Sequence, residues 1–600
     1  MIRTSLAAAV VVALSTGPLP RPASAGQPAT SRPTAARHPN IVVILADDAG
    51  WGDFSFVGNT NLATPAIDGL ARAGGVLEQF CVQPVCAPTR AELLTGRYHP
   101  RSGVRGVSLG QERMHADERT LADILAAAGY ATGCFGKWHN GTQWPLHPRA
   151  RGFGTFYGFT EGHWGDYYDA EMELDGRFVK GSGYIADDIT DKAIAFVERS
   201  AGGPFLCYVA YNTPHSPMCV PDAEWDRFRD RDLRLRGPAE EPEFTRAALA
   251  MVENLDRNVG RILATLAARG LDRDSIVVFF SDNGPNNGRW CGGMRGRKGS
   301  TDDGGVRSVC CIRLPGRIAP GTRITEVTGA IDLLPTLCGL AGVVIPPGKP
   351  LDGVDLSSAL EGAAATPGGD RAVVSFWGNK VSVRSTRHRL DADGRLYDMA
   401  ADPGQTRDVA ESEPAEAARL RKIAAAWRRD VGGGPPGAAA PFSVGFPGAP
   451  NTELPARDGV GGGGVVRSGK APNCSFFTGW TSRDDTIAWD VDVLTPGRYD
   501  ALLWCTCPVA DAGATIELSC GLATTRGTIT PGWDPPLERD DDRVSRGAES
   551  YVKEFRPLAL GPIDLAAGPG RLVLRATAIP GRSVADVRRL VLVPVSTPSR

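Results

Sequence analysis

Six hundred residues, 42% of them hydrophobic, are too many for one ordinary domain and enough to bury a large core, so two or three folding units are expected. A formal net charge of -2 argues against a nucleic-acid binder, which needs a marked basic excess to neutralise phosphates. Any affinity for an anion must then be local.

Arg3, the apolar run 6–14 and the small-residue site Ala23-Ser24-Ala25 read as a secretion signal over 1–25, too short to span a bilayer. The chain is therefore expected to be exported, to a periplasm or beyond, and not to be an integral membrane protein. Residues 26–38, rich in Pro, Ala, Ser and Thr, read as a flexible leader. Asn40–Ala46 is then a continuous apolar, β-branched run, the pattern of a strand buried on both faces. Similar runs recur at 130–135, 205–211 and 276–281, with helical patterns between them at 120–128 and 244–268. This alternation predicts an α/β layer fold with a large, mostly parallel central sheet. Ligands of such sheets bind beyond the carboxyl ends of the strands. Those ends carry Asp47 and Asp48, Lys137 and His139, His215, and Asp282 and Asn283, so polar groups from distant positions should converge on one rim.

Short strands at 373–377, 381–384 and around Asp393-Gly394, followed by an amphipathic helix at 414–429, predict a small α+β subdomain over 366–432, after an α/β domain over 39–365. Beyond Val431, Gly, Pro and Ala dominate, marking a linker at 433–448, and the glycine run 461–464 repeats the loop signal. Strand patterns at 486–493, 498–507, 514–520, 551–560, 571–578 and 586–593, separated by Gly and Pro turns, predict an all-β sandwich over 449–600. With phrases such as Ile487-Ala488-Trp489-Asp490 it resembles the carbohydrate-binding jelly rolls of secreted glycan-active enzymes; a purely structural sandwich is the alternative. The 13 cysteines are thinly spread and fix no pairing, while Cys310-Cys311 and the pair Cys505 and Cys507 lack zinc-site spacing and read as buried small hydrophobes or disulfide halves.

The chemistry centres on Cys86-Ala87-Pro88-Thr89-Arg90, continuing to Leu93-Leu94-Thr95-Gly96-Arg97. Pro88 suits a first helical turn, Ala91, Leu93 and Leu94 are helix formers, and Gly96 suits the end. Cys86 should thus face unpaired backbone N–H groups, which favour anions. Asp47, Asp48, Asp282 and Asn283 offer hard oxygens that suit Ca²⁺ or Mg²⁺ better than zinc, although Asp-Asp after a strand is by itself commonly a turn or a cap. Of the eight histidines, His38, His99, His115, His147 and His388 read as ordinary surface or core imidazoles.

The string C-x-P-x-R, followed by a leucine pair and T-G-R, resembles the signature of the sulfatase family. The stretches from Asn40 to Asp53 and from Phe280 to Gly284, Gly136-Lys137-Trp138-His139, Thr213-Pro214-His215-Ser216-Pro217 and Gly296-Arg297-Lys298-Gly299-Ser300 are similar to that family's other motifs. So are Ile331-Asp332-Leu333-Leu334-Pro335-Thr336-Leu337, Leu351-Asp352-Gly353-Val354-Asp355-Leu356 and Leu396-Tyr397-Asp398-Met399. The resemblance implies an alkaline-phosphatase-like sandwich and hydrolysis of a sulfate monoester, on a sulfated carbohydrate or an aryl sulfate. It also implies one calcium ion, held by Asp47, Asp48, Asp282, Asn283 and residue 86, and oxidation of Cys86 to formylglycine by a maturation enzyme. On that scheme one hydroxyl of the hydrated aldehyde attacks sulfur, and the leaving alcohol is protonated from the side of His215 and Lys298. The second hydroxyl then loses its proton to His139 and expels sulfate, restoring the aldehyde without a second attack on sulfur. Arg90 would hold the diol and the metal-site carboxylates, and Lys137 would stabilise the alkoxide. Such a site needs cations, since one opposing unit charge at about 4 Å is worth on the order of 4 kcal/mol at an effective dielectric near 20.

His163, among Trp164, Tyr167 and Tyr168, is a candidate for the substrate pocket. Asn140 after the K-W-H group, and Asp302-Asp303 before Gly304-Gly305, depart from the family pattern and bear on the outer wall and the substrate. Two rival readings share most of these features: a formylglycine-dependent phosphonate or phosphate monoester hydrolase, and a catalytically inert glycan-binding protein in which Cys86 stays unmodified.

Overall fold

The computed structural model describes residues 38–363, 369–431, 440–539 and 541–595. The signal read over 1–25 and all of the leader except His38 lie outside the described residues. A ten-stranded sheet organises the first half of the chain: β1 Asn40–Ala46, β2 Gly75–Cys81, β3 Ala131–Lys137, β4 Thr155–Phe159, β5 Glu171–Leu174, β6 Arg177–Lys180, β7 Phe205–Ala210, β8 Ser275–Ser281, β9 Cys310–Arg313 and β10 Thr322–Gly329. Its order is β10-β2-β9-β8-β1-β7-β3-β4-β5-β6. The centre, β8-β1-β7-β3-β4, is parallel throughout, and antiparallel pairs join β9, β5 and β6.

β1 lies at the middle of this sheet and carries no polar side chain between Ile41 and Ala46 because both its faces are covered. Val42, Ile44 and Ala46 pack in the core under the helices Ile185–Ser200 and Pro242–Ala268, while Ile41, Val43 and Leu45 pack under Cys86–Thr95, Leu121–Ala127 and Leu333–Ala341. The helix expected over 120–128 is opened by Thr120, whose Oγ1 accepts from the Asp123 amide at 3.1 Å while Asp123 accepts from the Thr120 amide at 2.8 Å. Among the described residues no helix is long and apolar enough to cross a membrane.

Strands Val373–Trp377, Lys380–Arg384, His388–Leu390 and Leu396–Asp398 form an antiparallel sheet, covered by the helix Pro414–Asp430 through Leu420 and Trp427. Two six-stranded sheets then make the sandwich, one centred on Thr486–Val493 and Gly568–Ala578, the other on Gly497–Thr506 and Asp586–Pro594. Trp480, Trp489, Leu503, Leu574 and Leu590 fill the space between them.

Three details differ from the sequence reading. Phe442–Val444, which composition assigns to the linker, pairs in parallel with Val491 to Val493, because its two apolar side chains reach the sandwich core. The glycine run is a loop only in its second half: Val460–Gly462 pairs with Thr486–Ala488, and Gly463 then turns the chain at φ 69°. The strand read over 551–560 begins five residues later, at Arg556, because Tyr551 and Lys553 are committed elsewhere. Arg539 and Arg546 lie over the Tyr551 ring at 4.6 and 4.7 Å, and Lys553 pairs with Asp534 and Asp586. All 13 cysteines are free thiols, with Cys310, Cys311, Cys505 and Cys507 buried as small hydrophobes.

Candidate active site

In-register pairing fixes the floor of the site. Ala46 sits opposite Ser281 in β1 and β8, so Asp47 and Asp282 leave the sheet side by side, and the Asp48 amide donates to Asp282 Oδ1 at 3.2 Å. β7 pairs on the other side of β1 and carries β3, whose last residue is Lys137. The helix Cys86–Thr95 starts above these ends and stops at Gly96, which takes the left-handed conformation at φ 66° and donates to the Glu92 carbonyl. All ten of its residues are buried.

Three carboxylates face three cations. Arg90 Nε and Nη2 both donate to Asp282 Oδ2, at 3.0 and 2.8 Å, and Nη1 donates to the Lys137 carbonyl at 2.9 Å. Lys137 Nζ meets Asp47 Oδ2 at 2.6 Å, and Lys298 Nζ meets Asp48 Oδ2 at 2.8 Å. Burial alone would raise the Asp47 and Asp48 carboxyls, but the surrounding cations hold both below the usual range; Lys137 and His215 lead for Asp47, His215 and Lys298 for Asp48. Asp282 is pushed up to about 7, by burial first and then by Asp47. Burial would lower Lys298, but Asp48 keeps its ammonium charged. Burial pushes the Cys86 thiol up to about 12, so as printed it is a neutral thiol and neither a good nucleophile nor a good metal ligand.

One oxygen or sulfur from each of Asp47, Asp48 and Cys86 and one ring nitrogen of His215 lie within 4.8 Å of one another. The oxygen donors, joined by the Asn283 amide oxygen, fit a hard divalent cation. Asp47 Oδ1 and Asn283 Oδ1 are buried acceptors without a hydrogen-bond partner, and Asn283 Nδ2 is anchored on Asp48 Oδ1 at 2.8 Å and on the Gly284 carbonyl, which leaves its oxygen free to ligate.

The histidines separate by tautomer. His139 Nε2 lies 2.8 Å from the Val107 carbonyl, which only accepts, so Nε2 carries the proton; the buried Nδ1 then bears a lone pair and has no partner. Burial, then Lys137, holds this imidazole well below its usual value. His215 Nδ1 likewise donates to the Ser216 carbonyl at 2.6 Å, and its Nε2 stands 3.6 Å from Asp48 Oδ2. His163 stacks on His215 with ring centroids 5.5 Å apart and planes 15° from parallel. Asp48 and His139 both hold left-handed backbone, φ 65° and 64°, a strained conformation that clusters at functional sites.

Every candidate site residue therefore lies in this one region, whereas Asp302 and Asp303, read as part of the outer wall, are paired instead with Arg295 and with Arg389 and Arg307. His99, His147 and His388, read as ordinary, are buried away from it in their own bonds, His99 between the Val104 and Phe376 carbonyls and the others beside Glu173 and Glu413. Sequence reasoning missed Arg289, which pairs with Asp53 and donates to the Asp48 carbonyl at 2.7 Å, and Thr89, whose hydroxyl donates to the Asp282 carbonyl at 2.6 Å. Both lie close to motifs already noted. Glu549, from a loop of the sandwich, was missed for want of any motif; its Oε1 accepts from Ser216 Oγ at 2.7 Å and lies 4.0 Å from His215 Nδ1.

The Sulfatase family model matches residues 39–343. The mouse (Mus musculus) steryl-sulfatase is 32% identical over 422 residues, covering 57% of this chain and 68% of the relative. The mouse N-acetylgalactosamine-6-sulfatase is 31% identical over 383 residues, covering 58% and 70%. Among solved structures, Ps i-CgsB in complex with k-i-k-neocarrahexaose superposes with a TM-score of 0.61 at 28% identity, over 67% of this chain and 94% of that one. The matched region contains the whole buried site of carboxylates, cations and Cys86, and on these grounds the chain belongs to the sulfatase family of sulfuric ester hydrolases.

Proposed function

We propose that the protein hydrolyses sulfate monoesters of carbohydrates, with formylglycine made from Cys86 and one calcium ion held by Asp47, Asp48, Asp282, Asn283 and residue 86. The observation that carries this reading is the gathering of Cys86, Asp47, Asp48 and His215 within 4.8 Å, beside Lys137, Lys298 and Arg90. Three carboxylates against three cations leave the floor close to neutral, so an added divalent ion makes it positive and attractive to an anionic ester. Calcium would supply Lewis-acid stabilisation of charge there, and the hydrated aldehyde would supply the attacking oxygen.

The chain's own groups have defined tasks. Arg90 locks Asp282 and the Lys137 backbone and keeps the floor rigid. Lys137 and Lys298 lie against Asp47 and Asp48 and would present positive field to the sulfate oxygens. His139 Nδ1, unprotonated and unpartnered, would take a proton from the group at position 86. His215 Nε2 and Lys298 Nζ both border Asp48 and would protonate the leaving alcohol, Lys298 directly and His215 after taking up a second proton at Nε2. A carbohydrate rather than a sterol is supported by the polar groups around His215, and one relative is named for N-acetylgalactosamine 6-sulfate chemistry. Export through the segment 1–25, conversion by a formylglycine-generating enzyme and sugar binding by the sandwich belong to the same proposal.

The test is mass spectrometry of the Cys86 peptide from the native host, together with hydrolysis of aryl sulfate and aryl phosphonate esters. The proposal expects the loss of thiol mass that accompanies aldehyde formation, a preference for the sulfate, and a fall of about 1,000-fold or more in kcat for Cys86→Ala. A wholly unconverted thiol or a preference for the phosphonate overturns it.

A further inference from the structure

A cavity of about 310 Å³ opens directly over His215 and Lys298, and its walls come from two domains. Residues 216–218, Phe244, Asn286 and Asn287 of the α/β domain form one side, and Ala471 with the loop 544–549 of the sandwich forms the other. That loop is clamped in place. Arg546 donates to Asp542 at 2.8 and 3.0 Å and to the Gly165 carbonyl at 2.8 Å, Cys219 Sγ lies 3.0 Å from Asp542 Oδ1, and Arg543 donates to the Val220 carbonyl at 2.9 Å. The sandwich is therefore a fixed wall of the site, on a scale that suits one sugar ring.

The lining selects by charge. Its two cations, Lys298 and Arg546, are committed to Asp48 and Asp542, and of its two acids Glu241 is exposed to solvent. Glu549 is placed differently: Ser216 Oγ holds Oε1, while Oε2 is buried without any partner, 13% of the side chain being exposed. A carboxylate oxygen in that state calls for a donor. A ring hydroxyl supplies one; a flat hydrocarbon leaving group would keep the oxygen dry and unpaired, and a second sulfate would set two anions against each other. His215 belongs both to the group around Cys86 and to the group formed with His163 and Glu549, so the hydroxyl in question lies one imidazole away from the reacting ester.

We propose that the β-sandwich completes the active site, and that Glu549 is a specificity-determining residue which accepts a hydrogen bond from a hydroxyl of a neutral, singly sulfated sugar. The inference rests on the sulfatase reading above and narrows its substrate class. It makes a polysaccharide or oligosaccharide with a free hydroxyl next to the scissile ester the preferred substrate, over sterol sulfates and over sugars sulfated at adjacent positions.

The test compares the full-length, converted enzyme with Glu549→Ala and Glu549→Gln on 4-nitrophenyl sulfate, on galactose and glucose monosulfates, and on the corresponding sugars disulfated at adjacent positions. Wild type should prefer the monosulfates over the disulfated sugars. Glu549→Ala should lower kcat/KM for the monosulfates by about 10- to 100-fold more than for the aryl sulfate, which has no ring hydroxyl to offer. Glu549→Gln keeps an acceptor and loses the charge, so it should lower the monosulfate rate less and narrow the gap to the disulfated sugars. An equal fall on every substrate would make Glu549 a support for His215 and overturn the assignment, as would aryl sulfatase activity in wild type with no hydrolysis of any sugar sulfate. No hydrolysis of any sulfate ester by converted wild type would instead overturn the sulfatase reading itself.

Discussion

The floor of the pocket comes from the central parallel sheet, and its outer wall comes from the sandwich. On the floor, Arg90, Lys137, Asp47 and Asp282 are fully buried and bound to one another, each charge answered at 3.0 Å or less. On the wall, Glu549 is held by a single hydroxyl and Asp166 by a single amide, and at Asp166 the acid Glu538 outweighs the cation Arg546. The floor is thus built to present fixed charge, which reaction at an anionic ester requires, with Asp47 Oδ1 and Asn283 Oδ1 left for a cation, and the wall holds its carboxylates by single hydrogen bonds, which leaves them open to recognition of a donor.

If that contrast holds, removing one floor charge should damage the molecule far more than removing a wall charge. Arg90→Ala leaves the Asp282 carboxylate without its guanidinium in a site from which water is excluded, and should cost about 3–5 kcal/mol of stability as well as activity. Glu549→Ala should cost less than about 1 kcal/mol, as loss of a partly exposed, singly bonded charge does. Calorimetric unfolding of both variants beside wild type checks the pair, and equal shifts would remove the distinction between floor and wall.

The same contrast explains what could be read from the chain alone. Asp47, Lys137 and Asp282 were legible because each directly ends or follows a run that is apolar for a reason: a strand covered on both faces shows itself in composition, and its register fixes where the next residue goes. Arg90 and Lys298 came from motif resemblance, not from periodicity, and the geometry then supplies their reason in Asp282 and Asp48. Glu549 left no mark, since it is one acid in an irregular loop and its meaning depends on how one domain packs on another. The segment 551–555 misled for a related reason, as its alternating side chains are used against arginines and acids of neighbouring loops and not in a ladder.

A second and smaller effect concerns the metal. Calcium added to chelator-treated protein should raise the unfolding midpoint, by an amount equivalent to about 2.7 kcal/mol at a 100-fold excess over its dissociation constant. Asn283→Ala removes one of the two unpartnered floor oxygens without altering the count of charges, and should weaken this shift. Differential scanning fluorimetry across a calcium series reads both, and a wild-type midpoint indifferent to calcium would sever the floor oxygens from metal binding.

A pH-dependent effect lies on the wall side, at Asp166, which lines a cleft of about 620 Å³ between the α/β domain and the sandwich. Burial first, then Glu538, raises its carboxyl from 3.8 to about 7, against the opposing hydrogen bond from the Tyr168 amide at 3.2 Å and the charge of Arg546. Folding therefore favours the neutral acid. The stability it contributes is fully present below about pH 4 and is lost as pH rises through about 7. Asparagine keeps an acceptor for the Tyr168 amide and never ionises, so Asp166→Asn should match wild type near pH 4 and unfold at a higher temperature at pH 8. The difference in midpoint between the two proteins, followed across that range, should grow with pH. A flat difference would mean that Asp166 is answered by charge, as Asp47 is, and that the division between an ionically closed floor and an open wall does not extend beyond Glu549.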